Sequence, residues 1–119
     1  MKSEPEILFE KHLRELGLEF RREWRFHPER RWRFDFALGE MVRSRCNGEW
    51  SMTFYPGRVA IEIEGGIYTQ GRHTRGKGFQ ADLDKYNHAT AMGWRVFRFS
   101  TRDVLRGRAK EFLAAHLRG

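Results

Sequence analysis

Two carboxylates interrupt an apolar run, VAIEIEGG, at residues 59–66. Glu62 and Glu64 are two positions apart, so on a β-strand they project to the same face, roughly 6–7 Å from each other. Asp35 lies in an earlier strand-like segment, RWRFDFAL, where it alternates with aromatic residues. If the two strands pair, the three acids converge on one patch, and clustered carboxylates repel each other unless a cation lies between them. The pattern therefore favours a divalent metal site, and Mg²⁺, with Mn²⁺ as a substitute, suits carboxylate oxygens.

Each acid alone has a simpler interpretation, as a solvent-facing strand residue paired with Arg. The overall charge supports the metal interpretation, because Lys and Arg number 23 against 16 acids, giving a net charge of +7. Most of these cations are Arg, which contacts phosphate groups bidentately. A basic domain of this size suggests a nucleic-acid partner. The basic surface would hold the DNA or RNA backbone, and the acidic centre would hold the metal that acts on it.

Basic residues are concentrated in two segments. The loop GRHTRGKG lies between glycines that permit close backbone approach to phosphate, and RREWRFHPERRWR interleaves Arg with aromatic residues. We expect both segments to contact nucleic acid, or else to form a solvated charged surface. The candidate contacts are Arg72, Arg75, Lys77, Arg22, Arg31 and Arg33. His73 in the loop is a candidate general base or proton shuttle, although a lone loop histidine more often hydrogen-bonds substrate or solvent.

The elements that must position these residues follow in the order helix, three strands, helix, strand, helix. The first helix spans residues 3–17, with Ser3 as its N-cap, and the strands span 18–26, 31–38 and 58–65. A hairpin around Asn47-Gly48 is expected near residues 40–56. A helix over 79–93 has Phe79, Leu83, Tyr86 and Thr90 along one stripe. A strand over 94–100 then leads to a terminal helix, N-capped by Thr101 and interrupted at Gly107. This is an α/β fold with a mixed sheet flanked by helices.

Length and composition place these elements in one domain, residues 1–119. The single cysteine, Cys46, excludes an intrachain disulfide, and no run approaches a membrane span, so a cytoplasmic protein is expected. Histidine and cysteine spacing do not suggest structural zinc.

The segments RFDFAL, VAIEIEGG and DLDKYNHATAMGWRVFRF resemble the PD-(D/E)XK nuclease superfamily. The likeness is greatest to its small phage and bacterial branch, related in pattern to very-short-patch repair endonucleases and Holliday-junction resolvases, and it covers almost the whole chain. It implies a restriction-endonuclease-like core in which Asp35 and Glu62 bind Mg²⁺ and the carbonyl of Ile63 is a third ligand. Glu64 stands where many members have Lys, and it would add a ligand or accept a proton from the attacking water.

The resemblance suggests roles for two helical residues as well. Some members carry the motif lysine on the helix that follows the motif strand, where this chain has Lys85. The alternative is a surface residue paired with Asp82 or with phosphate. Related families place an acid on the first helix near the metal, which matches Glu6. The alternative for Glu6 is a capping box with Ser3.

The resulting hypothesis is a Mg²⁺-dependent DNA endonuclease that hydrolyses phosphodiester bonds, with structure-selective cleavage (nicking or branched DNA) and a role in repair or recombination. One alternative is an inactive nucleic-acid-binding module of the same fold, and a second is an unrelated basic RNA-binding or partner-binding protein. A domain of this size forms one site, whereas double-strand cuts and junction resolution usually need two. A homodimer is therefore considered by analogy only.

Overall fold

The computed structural model describes residues 3–65 and 77–117. Its helices and strands follow in the predicted order, and the terminal helix is divided into two pieces. The helices are α1 (Glu4–Glu15), α2 (Lys77–Ala91), α3 (Thr101–Leu105) and α4 (Arg108–His116). The strands are β1 (Glu19–Arg25), β2 (Arg33–Cys46), β3 (Glu49–Glu64) and β4 (Arg95–Ser100). No helix in these ranges is long and apolar enough to cross a membrane.

The four strands form one mixed sheet in the order β1-β2-β3-β4. β1 and β3 both pair with β2 in antiparallel fashion, whereas β4 pairs with β3 in parallel. The parallel pairing needs a crossover, which α2 provides between the two strands. The predicted mixed sheet flanked by helices is therefore confirmed.

The sheet separates two apolar clusters, one on each face. The first lies under α1, α3 and α4 and is built on Phe9, Leu13, Phe36, Leu38, Ile61, Val104, Ala109 and Leu113. The second lies under α2 and contains Phe26, Phe34, Ala37, Ala60, Ala89 and Trp94. In β3, Val59, Ile61 and Ile63 contact the first cluster, while Ala60 contacts the second. The alternation predicted for this strand is confirmed.

The alternation predicted for β2 is wrong at one point. The sequence pattern places Phe34 and Phe36 on one face, but Phe34 belongs to the second cluster and Phe36 to the first. Their β1 neighbours change side as well, since Phe20 packs with the first cluster and Trp24 with the second. Between those two, Glu23 has a φ of 51°, a left-handed conformation that disrupts regular pleating. Asp35 lies where this change occurs.

The predicted helices agree with the structure except for the N-cap of α3 and the apolar stripe of α2. Ser3 caps α1 within a capping box completed by Glu6, as expected. The cap of α3 is Ser100, which accepts a hydrogen bond from the Asp103 N–H, so the prediction of Thr101 is wrong by one residue. The predicted apolar stripe of α2 is wrong in part: Phe79 and Leu83 are exposed and Ala89 is buried.

β2 and β3 continue beyond the sheet as a long hairpin, hereafter the arm (residues 40–55). Asn47 and Gly48 form its turn, both with positive φ, as the Asn-Gly pair predicts. The arm is a direct extension of the two core strands. It begins at a β-bulge between Leu38 and Gly39. At Gly39 a Cβ atom would lie 2.2 Å from the Tyr55 carbonyl oxygen, so only glycine fits there.

Candidate active site

Asp35 and Glu62 lie side by side on β2 and β3, each bound to the other's strand. The neighbouring pair Phe36 and Ile61 sets the register. The Asp35 N–H donates to Glu62 Oε2 at 3.1 Å, and the Ile63 N–H donates to Asp35 Oδ2 at 2.8 Å. The structure thus brings together two of the three acids that the strand pattern groups, and each carboxylate is oriented by a backbone donor.

Two side chains of α2 reach the same carboxylate. Lys85 Nζ lies 2.7 Å from Glu62 Oε1 in a largely buried ion pair, and the Tyr86 hydroxyl donates to the same oxygen. Glu62 itself is 6% exposed. An ionised carboxylate offers about four lone-pair positions. The Asp35 N–H, Lys85 and Tyr86 account for three of them, which leaves Glu62 capacity for a further ligand.

Glu64, the third acid, has a different environment. It forms a two-point ion pair with Arg98 of β4, with Arg98 Nη2 2.9 Å from Oε1 and Nε bound to Oε2. The Arg98 guanidinium also lies over the Tyr86 ring, 4.5 Å from its centroid. Hydrogen bonding to Glu64 is the main cause that raises the pKa of Arg98. Glu64 therefore lies beside the Asp35–Glu62 pair as part of an ion pair, and its predicted catalytic role stays a prediction.

Burial raises the pKa of Asp35 from its ordinary value of 3.8 to about 6. The Ile63 N–H and Lys85 favour the ionised form, but the negative charges of Glu62 and Glu23 oppose it. Burial also raises the pKa of Tyr86, and its hydrogen bond to Glu62 adds to the effect, so this phenol stays protonated and remains a donor. A strongly perturbed carboxyl group with a defined charge partner is typical of functional sites.

A second ion-pair network supports Asp35 through its backbone. Arg22 Nε donates to the Asp35 carbonyl oxygen at 3.2 Å, Nη1 to Glu10 at 2.7 Å and Nη2 to Glu6 at 2.8 Å. The guanidinium also lies 4.4 Å from the Phe36 ring centroid. Burial disfavours the charged guanidinium, yet the hydrogen bonds to Glu10 and Glu6 outweigh that effect and raise the pKa of Arg22. This network ties α1 to the strand that carries Asp35.

The same network bears on two sequence predictions. Glu6 completes the capping box with Ser3 and also binds Arg22, so it has the structural role weighed against a metal role. Arg22 uses all three guanidinium nitrogens within the protein, and its side chain is 18% exposed. Its predicted contact with nucleic acid therefore gains no support from the geometry.

The remaining predicted residues lie near the start of β2 or outside the described part of the chain. Arg31 and Arg33 are exposed, next to the start of β2. Arg72, His73 and Arg75 lie outside the described residues, and so does the side chain of Lys77.

The fit of a divalent cation can be judged from the donor set. Within residues 3–65 and 77–117, no group of three or more His, Cys, Asp or Glu side chains could hold a metal ion. Mg²⁺ commonly uses only one or two carboxylates and completes its shell with water and phosphate oxygens. Asp35 and Glu62 are hard oxygen donors of this kind, and the backbone carbonyl of Ile63 is the predicted third. The residues fit such an ion as a two-carboxylate site.

Sequence reasoning missed three residues of the site: Tyr86, Arg98 and Glu10. Tyr86 lies in the predicted helical stripe, and adjacent helix residues do not face the same way, so its shared contact with Lys85 has no signal in the local sequence. Arg98 pairs in register with Glu62 across the parallel β3–β4 ladder. That register has no signal in the local sequence. Glu10 is buried at 4% exposure, which its charged type would not suggest.

Comparison with known proteins identifies a solved structure with a similar fold. No protein-family model and no curated protein matches the chain. A solved structure described as "Homing Endonuclease I-Bth0305I Catalytic Domain" matches with a TM-score of 0.56 and 18% sequence identity. The match covers 98% of this chain and 99% of that chain. The chain therefore has the mixed α/β core seen in a nuclease catalytic domain.

Proposed function

We propose that this protein is a metal-dependent DNA endonuclease that hydrolyses phosphodiester bonds at Asp35 and Glu62. The observation that carries the proposal is the pair of hydrogen bonds by which the backbone of each strand orients the carboxylate of the other. Lys85 forms an ion pair with one of these carboxylates, Glu62. A net charge of +7 supplies attraction for a polyanion around this acidic centre. The fold shared with a homing endonuclease catalytic domain supports the same reading.

Each residue has a physical role in this proposal. Asp35 and Glu62, with the Ile63 carbonyl, would hold Mg²⁺ or Mn²⁺. Such an ion would supply Lewis-acid chemistry, polarising a phosphoryl oxygen and lowering the pKa of a bound water. Lys85 pairs with Glu62 and presents its ammonium group at the site, as the motif lysine would. Tyr86 fixes the rotamer of Glu62, and Arg22 fixes the backbone of Asp35.

The proposal is tested by cleavage of DNA with and without metal. Supercoiled plasmid, linear duplex, single-stranded DNA and a branched substrate are incubated with Mg²⁺ or Mn²⁺, and parallel reactions contain chelator. We expect metal-dependent cleavage by the wild type and none by Asp35→Asn or Glu62→Gln, both nearly isosteric changes. Glu49→Gln is the matched control, since it removes an exposed acid from the far end of the same strand. Cleavage by either folded site variant at wild-type rate would refute the assignment.

One alternative function has an observation in its favour. Glu62 pairs with Lys85 and Glu64 pairs with Arg98, so two of the three acids have a cationic partner without a metal. Such an arrangement also suits a catalytically inactive nucleic-acid-binding module. That module would bind DNA with equal affinity in chelator and in Mn²⁺ and would cut none of the substrates.

A further inference from the structure

The arm projects from the body of the protein with both faces exposed. Every residue from 42 to 53 is exposed, and only Met41 and Phe54 at its base are partly covered. The molecule measures 56 Å along its longest axis but only 29 Å along its shortest. A two-stranded ribbon is at best marginally stable alone, and this one exposes large apolar side chains, Trp50, Met52 and Tyr55. Such exposure needs an explanation in terms of function.

The two faces of the arm differ in charge. Cross-strand pairing places Arg43 opposite Met52 and Arg45 opposite Trp50, so these four side chains share one face. The other face carries Glu40 opposite Tyr55, Val42 opposite Thr53, Ser44 opposite Ser51 and Cys46 opposite Glu49. Both arginines of the arm therefore lie on one face and both of its acids on the other. We call the first the cationic face.

The arginines of the cationic face are held against tryptophan. The Arg43 guanidinium lies 4.2 Å from the Trp50 ring centroid, and that of Arg45 lies 5.5 Å from it. Stacking uses the flat face of a guanidinium and leaves its N–H edge able to donate to other acceptors. The ion pairs found among the described residues involve neither Arg43 nor Arg45. Guanidinium groups that lie beside an aromatic ring and outside these ion pairs suit a polyanion.

The cationic face begins on the side of the sheet that carries the candidate active site. Phe54, which pairs with Met41 at the base of this face, packs against Trp24 with 5.4 Å between ring centroids. Both contact the second cluster, the one under α2 that lies next to Glu62. At about 3.3 Å per residue, Arg43 lies about 26 Å along β2 from Asp35. That separation equals about eight base pairs of duplex, at about 3.4 Å per base pair.

We propose that the cationic face of the arm binds the phosphate backbone of duplex DNA about eight base pairs from the bond that is cut. This inference rests on the proposed nuclease function and adds a second, remote contact to it. Charge complementarity favours DNA over a second copy of the chain. A twofold pairing of two cationic faces would bring four guanidinium groups together, and like charges repel.

The test measures DNA binding apart from cleavage. Glu62→Gln protein in chelator binds labelled duplexes of about 12 and about 30 base pairs, and fluorescence anisotropy is followed as salt is raised. The arm variant adds Arg43→Gln and Arg45→Gln. Its matched control adds Arg106→Gln and Arg108→Gln, which remove two exposed arginines from the junction of α3 and α4. The variant with Lys at both arm positions keeps the charge.

Two phosphate contacts predict a specific change in the salt dependence. The arm variant should show a slope of log affinity against log salt that is smaller by about 1.8 on the long duplex. Its affinity deficit against the Glu62→Gln parent should then shrink about tenfold between about 50 and 200 mM salt. The short duplex should show a smaller difference, because only a few of its binding registers span the about eight base pairs between the active site and the arm, whereas most registers of the long duplex do. The lysine variant should restore most of the slope.

The outcomes separate this inference from the proposed function. Equal slopes and affinities for the arm variant and its parent on the long duplex overturn the arm inference. If the wild type still cuts DNA in Mn²⁺, the nuclease proposal survives that result. A protein that neither cuts nor binds DNA overturns both. Light scattering that shows a dimer converted to monomer by the two glutamines would mean that the arm binds a second copy, and would also overturn the inference.

Discussion

Replacement of Arg22 by Met is the most direct test of how α1 supports the candidate site. Methionine keeps most of the aliphatic volume over Phe36 but removes the hydrogen bonds to Glu6, Glu10 and the Asp35 carbonyl oxygen. Glu10 would remain as a carboxylate at 4% exposure, with Arg14 as one remaining partner. The perturbation therefore removes a charged partner from a buried carboxylate.

The magnitude follows from the burial of the network. Breaking a buried ion pair by removing one partner costs about 3–5 kcal/mol, and Arg14 keeps the cost near the lower figure. Unfolding entropy for a domain of this length makes 1 kcal/mol equivalent to roughly 4 °C in melting temperature. We therefore expect Arg22→Met to lower the free energy of unfolding by about 3 kcal/mol and the melting temperature by roughly 12 °C. Salt should change this difference little, because buried pairs are weakly screened.

The matched control is Arg14→Met, which removes a second arginine from the same glutamate. The Arg14 side chain is 66% exposed, against 18% for Arg22. Because the Arg14 end of this i, i+4 pair is exposed to solvent, we expect the pair to contribute less than about 1 kcal/mol and the control to melt within about 4 °C of the wild type. Circular dichroism melts of both variants in chelator provide the measurement. Equal shifts for the two variants, or a shift below about 4 °C for Arg22→Met, would refute the reasoning.

Arg22→Met also separates positioning from DNA contact. Because its guanidinium bonds within the protein, the variant should bind DNA with nearly wild-type affinity and salt slope while cleavage slows. A loss of affinity with a smaller salt slope would instead show that Arg22 contacts phosphate.

Three further predictions concern Asp35, Glu62 and Gly39. The pKa of Asp35 is raised, so ionised Asp35 destabilises the fold fully above about pH 6 and not at all below its ordinary pKa of 3.8. Asp35→Asn should therefore melt at a higher temperature than the wild type at about pH 8 in chelator. Melts at lower pH should show this difference in melting temperature closing toward about pH 4. Mn²⁺ at about 100 times its dissociation constant should stabilise the wild type by about 2.7 kcal/mol, roughly 11 °C, by mass action. Glu62→Gln should lose this shift and Glu49→Gln should keep it, whereas equal shifts in all three would rule out a metal site at Glu62. Gly39→Ala should cost about 1–3 kcal/mol in a urea titration, because its Cβ would lie 2.2 Å from the Tyr55 carbonyl oxygen. Gly57→Ala, whose Cβ would meet nothing closer than 3.6 Å, should cost far less, and equal losses would show that the bulge does not require glycine.

Local patterns in the sequence determine the helices and strands and, within the site, the approach of Asp35 to Glu62. Ser3-x-x-Glu6 specifies the start of α1, Asn47-Gly48 specifies a tight turn, and the period of two in VAIEIEGG separates Ile61 from Glu62. These features are predictable because each depends on residues within one turn or one strand. The approach of Asp35 to Glu62 follows once antiparallel pairing of their strands is assumed.

Tertiary structure decides which partner each charged group receives. The pairing of Glu64 with Arg98 depends on the parallel register of β3 and β4, whose ends are joined by a long crossover. Lys85 and Tyr86 reach Glu62 only because α2 packs over that face of the sheet. The left-handed backbone of Glu23 accompanies the change of face between Phe34 and Phe36, which no period-two pattern contains. Contacts between residues far apart in the chain depend on packing of whole elements, so the residues nearby in sequence carry no signal for them.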